Sequence, residues 1–288
     1  MNRLYDPETA AVFFGASPLG TALLLSLLLT LALVVVARIG FYLGPKFRKM
    51  TQRYPMFESW VKQKSRLLKE VQILGFSLGI VALGVSAVVN LVQGVSHVPA
   101  VADWDQAFVV AAHSNIEPWE ITLFEVTTSL AGRLASLVIG FVVGFWLLAK
   151  RKKRLLALWV IGLVGNSVIV QIIKQTQERA RPSFLEPLLN EPNFSFPSGH
   201  ASASVLMYGL LAYIILRSLQ DLGRGQRIAL VLTVLWTGVF VGTSRLALGV
   251  HYPTDVLAGW LIAMSWLTLL ITCDLVIRPA ARRYNPFV

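Results

Sequence analysis

Charge is scarce in this sequence. Only 14% of its 288 residues are Asp, Glu, Lys or Arg, against about a quarter in a soluble globular domain. Cysteine is scarcer still. Cys273 stands alone, which excludes an intramolecular disulfide and a cysteine metal cluster; in its apolar run it reads as a packed structural thiol. Internal repeats and low-complexity stretches are missing, and so is any basic face interleaved with aromatics. The net charge of +11 therefore does not read as a nucleic-acid surface. What is present is apolar: 55% of the residues are hydrophobic, and the mean hydropathy is +0.64.

The apolar residues gather into seven runs, at about 20–38, 71–95, 121–149, 155–173, 201–216, 228–243 and 254–277. Within the first, 21–37 carries no charge, close to the roughly 20 residues a bilayer-spanning helix needs. It reads as a span rather than a signal peptide, because it lies far from a basic start and no small-x-small cleavage site follows. Glu125 and Arg133 interrupt the third run, so its core is expected from Leu134 to Ala149. Only helices and closed barrels satisfy the backbone in lipid, and these runs are too long and uniform for barrel strands. The expected fold is an all-α integral membrane bundle.

Seven spans put the termini on opposite sides. With the N-terminus outside, the connectors 38–70, 150–154 and 217–227 and the C-terminal tail face the cytoplasm. Together they hold 20 of the 26 Lys and Arg residues. Arg3, Arg133, Lys174, Arg179, Arg181 and Arg245 remain outside. Basic residues accumulate on the cytoplasmic side, which selects N-out, C-in. The outer connector 96–132 agrees, with five acids and no Lys or Arg. The inner basic connectors are expected to meet anionic lipid head groups. The stretch 46–70 reads either as a basic amphipathic helix on the inner leaflet or as a solvated topology anchor.

In that orientation the unusual polar residues share the outer side. Lys174 and Arg181 are seven apart, near two helical turns, and would share a face if the helix continued; Pro182 discourages helix at Arg181. Arg245 adds a third cation, and three converging cations suit a phosphate dianion. Pro197-Ser198-Gly199-His200 opens an apolar run, where glycine permits close backbone approach and the free N–H groups of a helix start favour an anion. His251 and Asp255 are four apart, with Pro253 suited to the first helical turn. Such a pair can meet on one helix face, the carboxylate fixing the imidazole tautomer and leaving the other nitrogen free to attack.

Each feature alone has an ordinary reading. A Ser-Arg dipeptide or a lone interfacial His snorkels or packs, the His–Asp pair is a helix-start hydrogen bond, and Gly-His after Pro-Ser is a cap. Their coincidence on one side points to a site. Together the residues resemble the type 2 phosphatidic acid phosphatase family, whose superfamily includes glucose-6-phosphatase and the vanadium haloperoxidases. Its signature K-x6-R-P, P-S-G-H and S-R-x5-H-x3-D stands here complete as Lys174…Arg181-Pro182, Pro197-Ser198-Gly199-His200 and Ser244-Arg245…His251…Asp255.

The resemblance implies a six-helix phosphatase core over 71–277. Residues 1–70 would add an N-terminal transmembrane helix and a basic cytoplasmic connector, and 278–288 a short basic cytoplasmic tail. It also implies His251 as the nucleophile, Asp255 as its orienting carboxylate and His200 as the acid that protonates the leaving oxygen. Lys174, Arg181, Arg245, Ser198 and the Gly199 amide would hold the phosphoryl oxygens. No cofactor is expected. The connectors offer neither a carboxylate cluster for Mg²⁺ nor a two-His-carboxylate set for Zn²⁺, so arginine and lysine would neutralise the charge.

The expected substrate is a lipid phosphate or diphosphate, reached in the plane of a cell membrane with the site on the extracytoplasmic face. Undecaprenyl diphosphate, phosphatidylglycerophosphate, phosphatidic acid and phosphorylated lipid A are the candidates the family implies. Alternatives are transfer of the phosphate to a second lipid, or hydrolysis of a soluble ester. A catalytically dead scaffold would have lost signature residues, and none is missing. A transporter would carry more charge inside its spans than Glu125 and Arg133.

Overall fold

The computed structural model describes residues 55–184, 191–219 and 221–284. The N-terminal run 20–38, and with it the seven-span count, lies outside the described residues. Among those described, every regular element is helical: α1 (Pro55–His97), α2 (Pro99–Ser114), α3 (Pro118–Ser129), α4 (Arg133–Ala149), α5 (Lys153–Gln177), α6 (Gly199–Ser218), α7 (Arg224–Ala247) and α8 (Pro253–Tyr284). Six segments are long and apolar enough to cross a membrane: Val71–His97, Pro118–Ala149, Lys153–Gln177, Gly199–Ser218, Arg224–Ala247 and Pro253–Val276. They match the last six expected runs.

Three departures from the sequence reading matter. The third run is two helices, α3 and α4, broken at 130–132 with Gly132 in an extended conformation ahead of α4. Side-chain bonds loosen the approach to the break: Thr127 Oγ1 donates to Leu123 O and Ser129 Oγ to Val126 O, which competes with the helical ladder. Second, the acidic connector 96–132 is itself helical. In α2 the residues Asp105, Phe108, Val109 and Ala112 are buried, and their 3-4 spacing is one helical stripe. Third, α1 runs unbroken from Pro55 into the span, so residues 55–70 continue that helix instead of forming a separate one in the membrane plane.

Local chemistry explains the helix starts. Proline opens α2, α3 and α8, where its missing N–H costs nothing. At α3 the Glu117 backbone N–H donates to Glu120 Oε2 at 2.9 Å, and at α6 the Ser198 side chain accepts from the Ala201 N–H. α5 ends with Glu178 in the left-handed region, φ 45°.

The bundle is organised around α6 and α8. α8 packs on α1 and α6, α6 also on α5 and α7, and α7 on α3. Leu147, Trp159, Leu206, Met207, Leu210, Ile214 and Leu270 form the main buried cluster. A smaller one (Phe108, Ala112, Ala201, Leu246, Val256) joins α2 to the polar end. Outside, Leu83, Leu134, Phe141 and Phe145 are exposed, as suits lipid-facing surfaces. At the opposite end from His251, Arg154 Nε pairs with Asp274 Oδ1 at 2.8 Å, and Tyr213 donates to Asp274 Oδ2 at 2.7 Å. Asp274 is thus a further charge within the apolar runs, and its pairing ties α5, α6 and α8 together.

Candidate active site

The polar ends of α5 and α6 and the residue His251 just before α8 meet at one cavity of about 330 Å³, with Arg245 of α7 and Asp255 of α8 behind its lining. Lys174, Arg181, Gly199, His200 and His251 line it. From Lys174 it follows α5 to Asn166, eight residues or roughly 12 Å along the helix. α4 supplies the facing wall with Arg133, Ser136 and Leu137. The break before α4 brings Gly132 against the His200 ring, where a Cβ would stand 3.7 Å from Nε2.

His251 lies just before α8, not within it. Its Nδ1 is 3.3 Å from Asp255 Oδ2, and its Nε2 is 3.2 Å from Arg181 Nη1. The donating guanidinium leaves Nε2 as the acceptor, so Nδ1 carries the hydrogen towards Asp255. Both side chains are almost wholly buried. Burial, then Arg245, Arg181, Lys174 and His200, push the His251 pKa well below the ordinary imidazole value; the ring is neutral at physiological pH.

Asp255 does more than face His251. Its Oδ2 accepts the Tyr252 backbone N–H at 2.9 Å, capping α8, and accepts from the Ser195 hydroxyl. Its backbone carbonyl receives the Ser198 N–H at 2.9 Å, stitching the start of α8 to the start of α6. Ser198 is fully buried and caps α6 by accepting from the Ala201 N–H at 3.4 Å.

The three cations arrive by different routes. Lys174 projects from α5, and its Nζ donates to the Phe194 carbonyl. Arg181 does not share a helical face with it, because α5 ends at Gln177 and residues 178–184 have no regular structure. Arg181 Nη1 donates to Val250 O at 2.7 Å and Nε to Asn193 O at 2.6 Å. Arg245, 1% exposed, donates from Nη1 to Thr128 Oγ1 at 2.9 Å and from Nη2 to Glu191 Oε1 at 2.7 Å. Its Nε is buried and has no hydrogen-bond partner among the described residues. Glu191 also stands 3.8 Å from Arg181. Although burial raises the Glu191 pKa, Arg245, His200 and Arg181 outweigh it and hold the carboxyl below its usual value. A carboxylate therefore already bridges two of the cations.

The family model described as the PAP2 superfamily matches residues 155–278. A phosphatidylglycerophosphatase B of Bacillus subtilis (strain 168) is 34% identical over 173 residues, covering 58% of this chain and 82% of that protein. The chain belongs to the PAP2 superfamily. It is a multi-pass membrane phosphatase of this type. The crystal structure of a transmembrane PAP2-type phosphatidylglycerolphosphate phosphatase from Bacillus subtilis matches with a TM-score of 0.59 and 28% identity, covering 72% of this chain and 96% of that one. An undecaprenyl-diphosphatase of Sulfolobus acidocaldarius is 31% identical over 134 residues, 45% of this chain and 59% of that protein.

In this PAP2 phosphatase the sequence reading overlooked five residues that hold the site: Asp105, Thr128, Arg179, Glu191 and Ser195. Asp105 carried a signal, an acid on the apolar stripe of a helix. Arg179 and Arg181 stand two apart in irregular chain, and nothing in the sequence says that one meets Asp255 and the other His251. Glu191 and Ser195 lie in a polar stretch whose spacing has no period.

Proposed function

We propose that this PAP2 phosphatase hydrolyses the phosphate or diphosphate of a membrane lipid through a phosphohistidine at His251. The observation that carries the reading is the His251 ring itself. It is neutral, oriented by Asp255 through Nδ1, and it presents Nε2 to a cavity lined by Lys174 and Arg181. A neutral imidazole among cations is suited to attack phosphorus while the cations take up the charge.

In the first step Nε2 bonds to phosphorus and the bond to the leaving oxygen breaks; His200, which takes up a proton from solvent as the phosphate dianion binds beside it, gives that proton to the leaving oxygen. Arg181 passes its hydrogen bond from Nε2 to a phosphoryl oxygen. Arg245 Nε, Lys174 and the Gly199 N–H at the start of α6 donate to the other phosphoryl oxygens and offset their charge. Ser198, accepting through one lone pair, keeps its own hydrogen for a phosphoryl oxygen. In the second step water gives a proton to His200 and attacks phosphorus, the N–P bond breaks, and inorganic phosphate leaves. Asp255 holds the Nδ1 hydrogen throughout. Arginine and lysine supply the charge neutralisation, so no metal ion is required.

The lipid nature of the substrate is supported by the cavity wall. It extends along α4 and α5 between helices whose outer faces are apolar, and Leu137 on that wall is 64% exposed. The similar proteins are named for lipid phosphates: phosphatidylglycerophosphate, undecaprenyl diphosphate and, at 28% identity, lipid A 1-phosphate. The distribution of basic residues supports an N-out, C-in topology with the site on the extracytoplasmic face. We propose 71–277 as the phosphatase core and 1–70 as an added N-terminal span with its connector, whose residues 55–70 run on into the core as part of α1.

Phosphate release from those three lipids and phosphatidic acid, by purified wild type and His251→Ala, tests the proposal. Rapid acid-free quenching of ³²P-labelled substrate should trap an alkali-stable, acid-labile phosphoenzyme in the wild type alone. Near-normal turnover by His251→Ala would sink the mechanism.

A further inference from the structure

We propose that Arg179, held by Asp105 of α2, is a positioning residue that locks the Asp255 carboxylate in the orientation His251 needs. The proposal rests on the reading of His251 as nucleophile, and it assigns a function to a segment upstream of the matched residues 155–278.

The Asp255 carboxylate is held oxygen by oxygen. Oδ2 faces His251 Nδ1, the Ser195 hydroxyl and the Tyr252 N–H. Oδ1 is taken by Arg179 Nη1 at 2.7 Å. A carboxylate bonded through Oδ2 alone could turn about its Cβ–Cγ bond and offer the imidazole either oxygen. With Oδ1 fixed by the arginine, it presents Oδ2.

Arg179 is itself fixed on three sides. Its second terminal nitrogen, Nη2, pairs with Asp105 Oδ2 at 2.7 Å. Nη1 also donates to Thr254 Oγ1 at 2.8 Å. The guanidinium lies 4.0 Å from the Tyr252 ring centroid, within cation–π range. Asp105 also accepts the Thr254 N–H at 3.2 Å and the Thr254 hydroxyl, so it grips the first turn of α8 as well as the arginine. Asp105 and Asp255 are fully buried. Burial opposes the Arg179 charge, but Asp255 and Asp105 outweigh it and raise its pKa. The planar fork spans two carboxylates at once, a task that suits Arg and not Lys. None of Asp105, Arg179 and Thr254 lines the cavity, so the chain Asp105–Arg179–Asp255–His251 acts from behind the reacting atoms.

A purely structural clasp between α2 and α8 would use the same contacts, and kinetics separate the two roles. The experiment compares Arg179→Gln, Arg179→Lys, Asp105→Asn and the double variant Asp105→Asn/Arg179→Gln, in detergent, with rates expressed per folded enzyme. Arg179→Gln alone would strand two buried carboxylates, Asp105 and Asp255, whereas the double variant strands Asp255 only and is the milder test of folding. A positioning role predicts that kcat and the rate of phosphoenzyme formation fall roughly 10- to 100-fold while KM changes little, as for other groups that orient a working imidazole. Arg179→Lys should recover part of the loss by retaining the charge without the fork. Asp105→Asn should add nothing once Arg179 is gone.

Lower unfolding temperature with kcat per folded enzyme within about twofold of wild type would overturn the proposal and leave a clasp. A raised KM at unchanged kcat would also overturn it, because Arg179 would then bind phosphate. His251→Ala in the same series separates this failure from failure of the phosphohistidine reading: if that variant turns over normally, the parent reading falls instead.

Discussion

Arg181 Nη1 lies 3.2 Å from His251 Nε2, a cation donating to the nitrogen proposed to attack phosphorus. The two groups cannot comfortably both be positive. Arg181 is joined by Arg245 from α7, Lys174 from α5 and His200 from α6 in holding the His251 pKa below 6.5, after burial as the largest cause; Asp255 and the Ser195 hydroxyl face the other nitrogen. The neutral ring exists above its pKa, so a depressed value extends activity into acid. The acid limb of kcat/KM, which reports the free enzyme, should lie well below pH 6.5, and Arg181→Gln should move it upward. A wild-type limb at or above 6.5 would contradict the assignment.

Glu191 sets up a second expectation. Its carboxylate bridges Arg245 and Arg181 at 2.7 and 3.8 Å, so an arriving phosphoryl group competes with it for those donors. Glu191→Gln removes the competing charge while keeping the shape. Inhibition by inorganic phosphate should tighten by roughly 3- to 10-fold, since hydrogen bonds to charged groups are the stronger ones. An inhibition constant that stays the same or weakens would show that Glu191 supports Arg245 instead of competing with substrate.

Metal removal tests the source of the charge neutralisation. Among the described residues no three of His, Cys, Asp and Glu lie together in a group that could hold a metal ion, whereas Lys174, Arg181 and Arg245 all act on His251. Dialysis against excess chelator should leave phosphate release within about twofold of the untreated enzyme. A strict requirement for added Mg²⁺ would refute the proposal that these cations suffice.

Gly259 tests how α8 holds the α6 start. A Cβ there would stand 2.6 Å from the Ser198 carbonyl oxygen and 3.2 Å from the Ser202 nitrogen, and backbone yields less than a flexible side chain. Gly259→Ala should lower stability by about 1–3 kcal/mol, read as a lower unfolding midpoint in detergent. It should also reduce kcat by shifting Gly199 and His200. An unchanged midpoint would mean that α8 moves away from α6 at no cost.

Much of the fold was legible because lipid simplifies the code. A charge-free run long enough to span must be helical, and six of the seven runs coincide with helices able to cross a membrane. The break at 130–132 was only half legible: Glu125 and Arg133 marked the weak half of the run, and the helix after the break begins at Arg133. The α2 helix was hidden because its stripe is short and carries an acid.

The signature residues announced themselves by identity and spacing, since each is a cation, an imidazole or a helix-start residue at the end of an apolar run. By itself the sequence determined a helical membrane bundle with these groups gathered at span ends. The tertiary structure alone decided which atoms meet: Arg181 with His251 and Arg179 with Asp255, though the two arginines are two residues apart. It also brought Asp105, 149 residues before Thr254, against the first turn of α8. Such pairings depend on where the irregular residues 178–184 and 191–198 meet the helix ends, and no local periodicity encodes that. Burial then supplied what spacing could not, by excluding water around His251 so that nearby cations keep it neutral.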